Sequence, residues 1–170
     1  MGKRRKAREC ALQILFQLEF NSSDPDRLIR ESWALQKTTA DIRAYGGWLV
    51  EMIQAKRRDI DQAIQAEAKN WRLSRMAAVD RTLLRIAVCE LLYVPSLAPA
   101  IVINEALEIA KRYSGQESAA FINGVLDAVS RRLKSLAPPA AGTEKEGQHE
   151  QERGDAGKKT GTGVGRRARH

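Results

Sequence analysis

The sequence predicts an all-α fold, and three observations support this prediction. Apolar residues recur at helical spacing in six segments. Residues typical of helix starts and ends, such as Asp24, Pro25 and Gly115, separate these segments. No alternating pattern of useful length predicts a strand. With 170 residues and 43% hydrophobic content, the chain is long enough for about one domain with a buried core.

The first two segments have clear helical signals. In the first, one face carries the apolar residues: Ala7, Ala11, Ile14, Leu15 and Leu18. The second begins with Ser23 or Asp24 as the N-cap and Pro25 as the first helical residue.

The third segment predicts one long helix over about 38–71, in which Gly46 and Gly47 mark a bend. The fourth predicts a helix from near Ser74 that ends before Pro95. The fifth begins at Pro99, and Gly115 follows its last turn as a left-handed cap. The last helix has an inward stripe of apolar residues: Phe121, Val125, Leu126, Val129 and Leu133.

The C-terminal part differs in composition from the rest. From Pro138 onward the chain has one valine, no other large apolar residue and no aromatic residue. Such a segment cannot bury enough apolar surface to offset the entropy lost on ordering. The sequence therefore predicts a folded domain over 1–136 and a disordered, low-complexity tail over 137–170.

Positive charge is concentrated at the start of the first helix. The whole chain has 29 Lys and Arg against 21 Asp and Glu, a formal net charge of +8. Five cations lie in the first eight residues: Lys3, Arg4, Arg5, Lys6 and Arg8. Because a helix N-terminus is itself positive, this arrangement is unfavourable until an anion binds. The cluster predicts a site for nucleic-acid phosphates, although basic N-termini also serve only to improve solubility.

An aromatic residue in the same helix favours single-stranded over duplex nucleic acid. Phe16 falls on one helical stripe with Leu12, Arg8 and Arg5, so we expect its ring beside the cations. Aromatic rings stack on unpaired bases. The alternative role of Phe16 is packing in the core.

The sequence has few residues of the types that usually carry out catalysis. Both histidines, His149 and His170, lie in the predicted tail. Cys10 and Cys89 lie in helical patterns without neighbours at metal-ligand spacing, which is typical of small buried residues in a reducing compartment. We expect no catalytic residues, no metal, no cofactor and no enzymatic activity. With neither a signal peptide nor a membrane span in the sequence, we expect a soluble, cytoplasmic protein.

Three sequence blocks resemble those of the NusB transcription antitermination family: "RRKARECALQILFQLE", "NWRLSRMAAVDRTLLRIAVCELLY" and "IVINEALEIAKRYSGQESAAFINGVLDAV". The resemblance implies an all-α fold of two small helical bundles packed together. It also implies pairing with NusE, a protein of the small ribosomal subunit, and binding of single-stranded boxA RNA in ribosomal RNA operon transcripts. NusA, NusG and RNA polymerase are the implied partners in a larger complex.

The resemblance also implies roles for particular residues. The five cations would face RNA, together with Phe16, Glu117 and Phe121. Asp80 and Arg81 would lie toward NusE. Cys89 departs from the family pattern, which usually has an aromatic residue there, and the long tail is a second departure.

Three other functions are compatible with parts of the sequence pattern. An accessory domain of a ribosomal RNA cytosine methyltransferase would need a cofactor domain, for which 170 residues leave no room. A helix-turn-helix DNA regulator would need a polar recognition helix, and "RMAAVDRTLLRIAVCELL" is too apolar. A helical module that binds RNA or proteins outside the antitermination complex stays open. The sequence also leaves open whether the free protein is a monomer or a homodimer.

Overall fold

The predicted all-α class is confirmed. A computed structural model describes residues 2–21 and 24–136, and these contain seven α-helices and no strand. The helices are α1 (Lys3–Phe20), α2 (Pro25–Leu35), α3 (Ala40–Ala55), α4 (Arg57–Glu67), α5 (Ala78–Tyr93), α6 (Pro99–Tyr113) and α7 (Gln116–Leu136). The tail predicted over 137–170 lies outside the described residues, as does Ser23.

Several predicted helix ends are confirmed at the atomic level. The Asp24 side chain accepts hydrogen bonds from the backbone N–H groups of Asp26 and Arg27, at 3.1 and 3.3 Å, and Pro25 is the first residue of α2. Gly115 has a φ of 105° and its N–H donates to the Ala110 carbonyl at 2.9 Å. This positive φ favours glycine, since a side chain there is strained.

Two helix boundaries differ from the prediction. The long third helix is in fact two helices, and the break is at Lys56, with φ −110° and ψ 17°, rather than at Gly46 and Gly47. The helix predicted from Ser74 begins at Ala78, after a 3₁₀ turn over Leu73–Arg75. Neither Lys56 nor Ala78 is a residue type that marks a helix end in a sequence, so local propensity does not reveal these boundaries.

The helices form two groups around α5. α1 packs against α2 and α3, while α4, α6 and α7 pack against one another or against α5. α5 also contacts α1 and α3, and every residue from Thr82 to Glu90 is buried. Because α5 is buried on all sides, the polar residues it carries must find partners inside the protein.

Gly46 is needed because α1 and α3 approach closely. A Cβ atom at this position would lie 2.7 Å from Cη2 of Trp33 and 3.0 Å from the Ala7 carbonyl oxygen. Neither the buried indole ring nor the helix backbone can move freely. A Cβ at Gly47 would have no atom within 4 Å, so only Gly46 has a packing role.

Alanine should therefore change the stability of the protein in opposite directions at Gly46 and Gly47. Gly46→Ala should destabilise the protein by about 1–3 kcal/mol through overpacking. Gly47→Ala should stabilise it by about 0.5–1 kcal/mol, since alanine loses less backbone entropy in a helix. Urea unfolding of both variants measures the two changes. Equal effects at the two positions would contradict the close packing of α1 on α3.

Candidate nucleic-acid interface

The N-terminus of α1 is open and uncapped. Gly2 occupies the N-cap position and supplies no side-chain hydrogen bond, and the first turn has no acidic residue. The first backbone bond runs from the Lys6 N–H to the Gly2 carbonyl at 3.1 Å. The N–H groups of Lys3, Arg4 and Arg5 therefore have no acceptor within the helix. They add to the positive potential of the side chains around them.

The structure divides the five predicted cations into two groups. Lys3, Arg4 and Lys6 are exposed and are called here the α1 cation cluster. Lys3 lies 2.7 Å from Asp41 in a surface ion pair whose side chains are 68% and 69% exposed. Within residues 2–21 and 24–136, Arg4 and Lys6 form no ion pair. All three cations are accessible to an anionic ligand.

Arg5 and Arg8 instead point toward the body of the protein. Arg5 binds Glu105 through two nitrogens, at 2.8 and 2.7 Å. Arg8 is 3% exposed, and its Nε lies 2.9 Å from both carboxylate oxygens of Glu90. A further contact joins Arg8 to Glu105 at 3.4 Å. The hydrogen bond from Arg5 holds the pKa of Glu105 below its usual value.

Arg8 lies in the interior of the protein, and its contact with RNA stays a prediction. Its guanidinium is buried between α1 and α5, and its charge is needed by Glu90, which is 1% exposed. Removing a buried charge from its partner is costly, so Arg8 is held inside. We assign Arg8 the role of fixing α1 against α5.

The aromatic residue beside the cations is Tyr45 of α3, not Phe16. The guanidinium carbons of Arg4 and Arg8 lie 5.0 and 6.0 Å from the centre of the Tyr45 ring, within cation–π distance. Phe16 packs against Phe20 with ring centres 5.0 Å apart. At 1.5 Å per residue, Phe16 is about 18 Å along α1 from Arg4. Its contact with RNA stays a prediction.

Tyr45 is fixed in place by a buried acid. Its hydroxyl donates a short hydrogen bond to Glu90, the same carboxylate that binds Arg8. Burial raises the pKa of Tyr45, and the bond to Glu90 raises it further. Tyr45 thus stays neutral and its ring orientation is set from inside the protein.

Trp48 extends this aromatic surface by one helical turn. The rings of Tyr45 and Trp48 are nearly parallel, with an interplanar angle of 18° and centres 5.8 Å apart. A groove of about 540 Å³ opens over them. Its lining consists of Lys3, Arg4, Asp41, Ala44, Tyr45 and Trp48. The sequence pattern assigned no functional role to Tyr45 or Trp48, since nothing in local spacing brings α3 to the start of α1.

A second pocket collects three other predicted residues. Asp80, Glu117 and Phe121 line a cavity of about 340 Å³, and Trp71 lies at its edge with its ring centre 5.7 Å from that of Phe121. One carboxylate oxygen of Asp80 accepts from the Ser118 hydroxyl at 2.9 Å. The other is buried and has no partner among the described residues. The structure therefore groups Asp80 with the residues expected to face RNA.

Arg81 lies elsewhere, in contacts within the protein. Its guanidinium donates to the carbonyls of Leu73 and Met76, both at 3.0 Å, and to Glu19 at 2.6 Å. Burial opposes ionisation of Glu19, but Arg81 and Arg85 outweigh it and keep the pKa of this carboxyl low. Arg81 thus holds the 3₁₀ turn and α1 against α5. Its contact with NusE stays a prediction.

The cysteines have the buried positions predicted for them. Cys10 and Cys89 are free thiols in the core. Burial raises the pKa of Cys89 to about 12, so its thiol is neutral and unreactive at physiological pH. No helix in the described ranges has the length and apolar character needed to cross a bilayer.

Comparison with known proteins identifies the family. The NusB family model matches residues 5–131. The transcription antitermination protein NusB of Koribacter versatilis (strain Ellin345) is 44% identical over 133 residues, which cover 78% of this chain and 91% of that protein. The NusB protein of Sorangium cellulosum (strain So ce56) is 41% identical over 133 residues, covering 78% and 95%.

Solved structures show the same fold. A crystal structure of T. maritima NusB has a TM-score of 0.69 and 32% identity, covering 75% of this chain and 90% of that one. A crystal structure of the antitermination factors NusB and NusE in complex with double-stranded RNA has a TM-score of 0.69 and 27% identity, covering 78% and 98%. The family-model match over residues 5–131 covers all seven helices except the start of α1 and the end of α7. The chain belongs to the NusB family.

Proposed function

We propose that this chain is a transcription antitermination factor, without catalytic activity, that pairs with NusE and binds single-stranded boxA RNA of ribosomal RNA operon transcripts. Its family supports the antitermination role. The similar structure that contains NusB, NusE and RNA supports both partners. A cytoplasmic location and assembly with NusA, NusG and RNA polymerase follow from the same role.

The observation that carries the RNA-binding part is the α1 cation cluster. Three accessible cations surround a helix N-terminus whose backbone N–H groups are unpaired and whose first turn has no acid. This arrangement is unfavourable alone and becomes favourable when phosphates bind. The RNA-facing residues of the proposal are this cluster, with Arg5 at its edge and Glu117, Phe121 and Phe16 as further contacts.

The test is a co-purification with NusE followed by RNA titration at two salt concentrations. If the three cations of the cluster each contact one phosphate, the log–log salt slope should be about −2, from about −0.7 per contact on a single strand. A flat salt dependence would contradict phosphate binding. Failure to co-purify with NusE would contradict the pairing.

The same titration should include a double-stranded RNA, because the similar NusB and NusE complex was crystallised with double-stranded RNA. We expect the single-stranded boxA RNA to bind more tightly than a duplex of the same sequence, since only unpaired bases can stack on aromatic rings. A preference for the duplex would contradict binding of single-stranded RNA. It would not contradict the binding of phosphates by the α1 cation cluster.

For NusE, the proposed contact region includes Asp80 and Arg81. Asp80 lines a cavity, and one of its buried carboxylate oxygens has no donor among the described residues, so a donor from either RNA or NusE could bind there. A buried acceptor without a partner costs about 1–3 kcal/mol, and a donor from a ligand would recover that cost.

A further inference from the structure

A surface on α3 has features that the proposed phosphate contacts do not use. It consists of the rings of Tyr45 and Trp48 with the Arg4 guanidinium above Tyr45, and it is called here the α3 shelf. Both rings are half-buried, with part of each packed on the core and part lining the open groove. The groove of about 540 Å³ falls within the range of about 300–1,000 Å³ that is typical of small-ligand sites.

The Tyr45 ring of the shelf is held in place before any ligand arrives. The Tyr45 hydroxyl is held by Glu90, and Glu90 is held in turn by Arg8. Trp48 is nearly parallel to Tyr45 at the next turn of the same helix. A flat group that binds here needs no reordering of the Tyr45 ring, which lowers the entropic cost of binding.

The charge around the shelf selects the kind of ligand. Two of the three residues of the α1 cation cluster, Lys3 and Arg4, line the groove, and the single acid, Asp41, is neutralised by Lys3. Aromatic faces next to accessible cations fit a planar, uncharged ring attached to a phosphate. An unpaired nucleotide has this chemistry.

We propose that Tyr45 and Trp48 form a stacking site for one unpaired base of the bound RNA, directly beside the phosphates held by the α1 cation cluster. The inference rests on the proposed function, since it takes RNA as the ligand. It adds a subsite on α3 and a role for Trp48. Because a stacking surface accepts any base, the site favours an unpaired nucleotide without selecting its identity.

The complex with NusE is titrated with single-stranded boxA RNA and with a set of RNAs that each lack one base. In these RNAs an abasic ribose phosphate replaces one nucleotide at a time, so the phosphate charge is unchanged. Wild type should lose roughly 5- to 100-fold in affinity when the base on the shelf is removed, from the usual strength of base stacking. Trp48→Leu should show a loss in this range with the intact RNA, and no further loss at that one abasic position.

Trp48→Phe serves as the matched control, since it keeps an aromatic face and should retain most of the affinity. Leucine keeps the apolar packing of the buried part, and a thermal melt of each variant checks the fold. If Trp48→Leu binds intact RNA as tightly as wild type, the shelf is not a base site, although a wild-type salt slope of about −2 would keep the proposed function. If Trp48→Leu loses further affinity equally at every abasic position, the shelf is likewise not a base site. If wild type binds no RNA, both proposals fail.

Discussion

Glu90→Ala should lower the free energy of unfolding by about 3–5 kcal/mol, because it removes the close partner of the buried Arg8 guanidinium and leaves only the longer contact to Glu105. Both side chains are nearly inaccessible, at 1% and 3% exposure, and both Arg8 and Tyr45 donate to this carboxylate. Urea unfolding measures the loss. The same variant should weaken RNA binding, since Tyr45 loses the acceptor that orients it.

An exposed ion pair provides the matched control. Arg27 and Glu31 form an i,i+4 pair at 2.7 Å on α2, with both side chains more than half exposed. Glu31→Ala should cost far less than Glu90→Ala, since water solvates the remaining charge. A loss at Glu90 no larger than the loss at Glu31 would show that Arg8 is not held by a buried pair.

Replacing Lys3, Arg4 and Lys6 together by glutamine should abolish most of the salt dependence of RNA binding. With a slope of about −2, wild-type affinity falls roughly 16-fold between 50 and 200 mM salt. The triple variant should change little over that range and should bind more weakly at the lower salt. Fluorescence anisotropy of a labelled single-stranded RNA measures both quantities.

Net charge alone also affects RNA binding, so a variant with the same charge is needed. Arg30, Lys37 and Arg58 are exposed and form no ion pair within the described residues. Changing these three to glutamine removes the same charge away from the N-terminus of α1. This control should keep a salt slope near −2. A slope as flat as that of the first triple variant would contradict phosphate binding by the α1 cation cluster.

The sequence was a good guide to the helices because their signals are local. Asp24 and Pro25 start α2, and Gly115 ends α6, through hydrogen bonds and backbone angles that involve residues only a few positions away. The break at Lys56 had no such signal. Gly46 and Gly47 were the obvious candidates, but Gly46 is there to let Trp33 and α1 approach α3.

The site was harder to predict because its contacts connect distant parts of the chain. The pattern of charge at the N-terminus correctly located three exposed cations. It could not separate them from Arg8, whose partner Glu90 is 82 positions away. Spacing along α1 likewise selected Phe16 as the nearby aromatic, whereas the nearest ring in space is Tyr45 of another helix. Both differences arise from tertiary packing, which periodicity within one helix does not report.

The most direct test of the central claim, that the start of α1 binds RNA phosphates, is crosslinking within the complex of this protein, NusE and single-stranded boxA RNA. Mass spectrometry of the crosslinked peptides identifies the residues closest to RNA. Crosslinks should be concentrated on the first turn of α1 and on the segment of α3 that contains Tyr45 and Trp48. Crosslinks confined to other surfaces, such as the pocket of Trp71 and Phe121, would contradict the account.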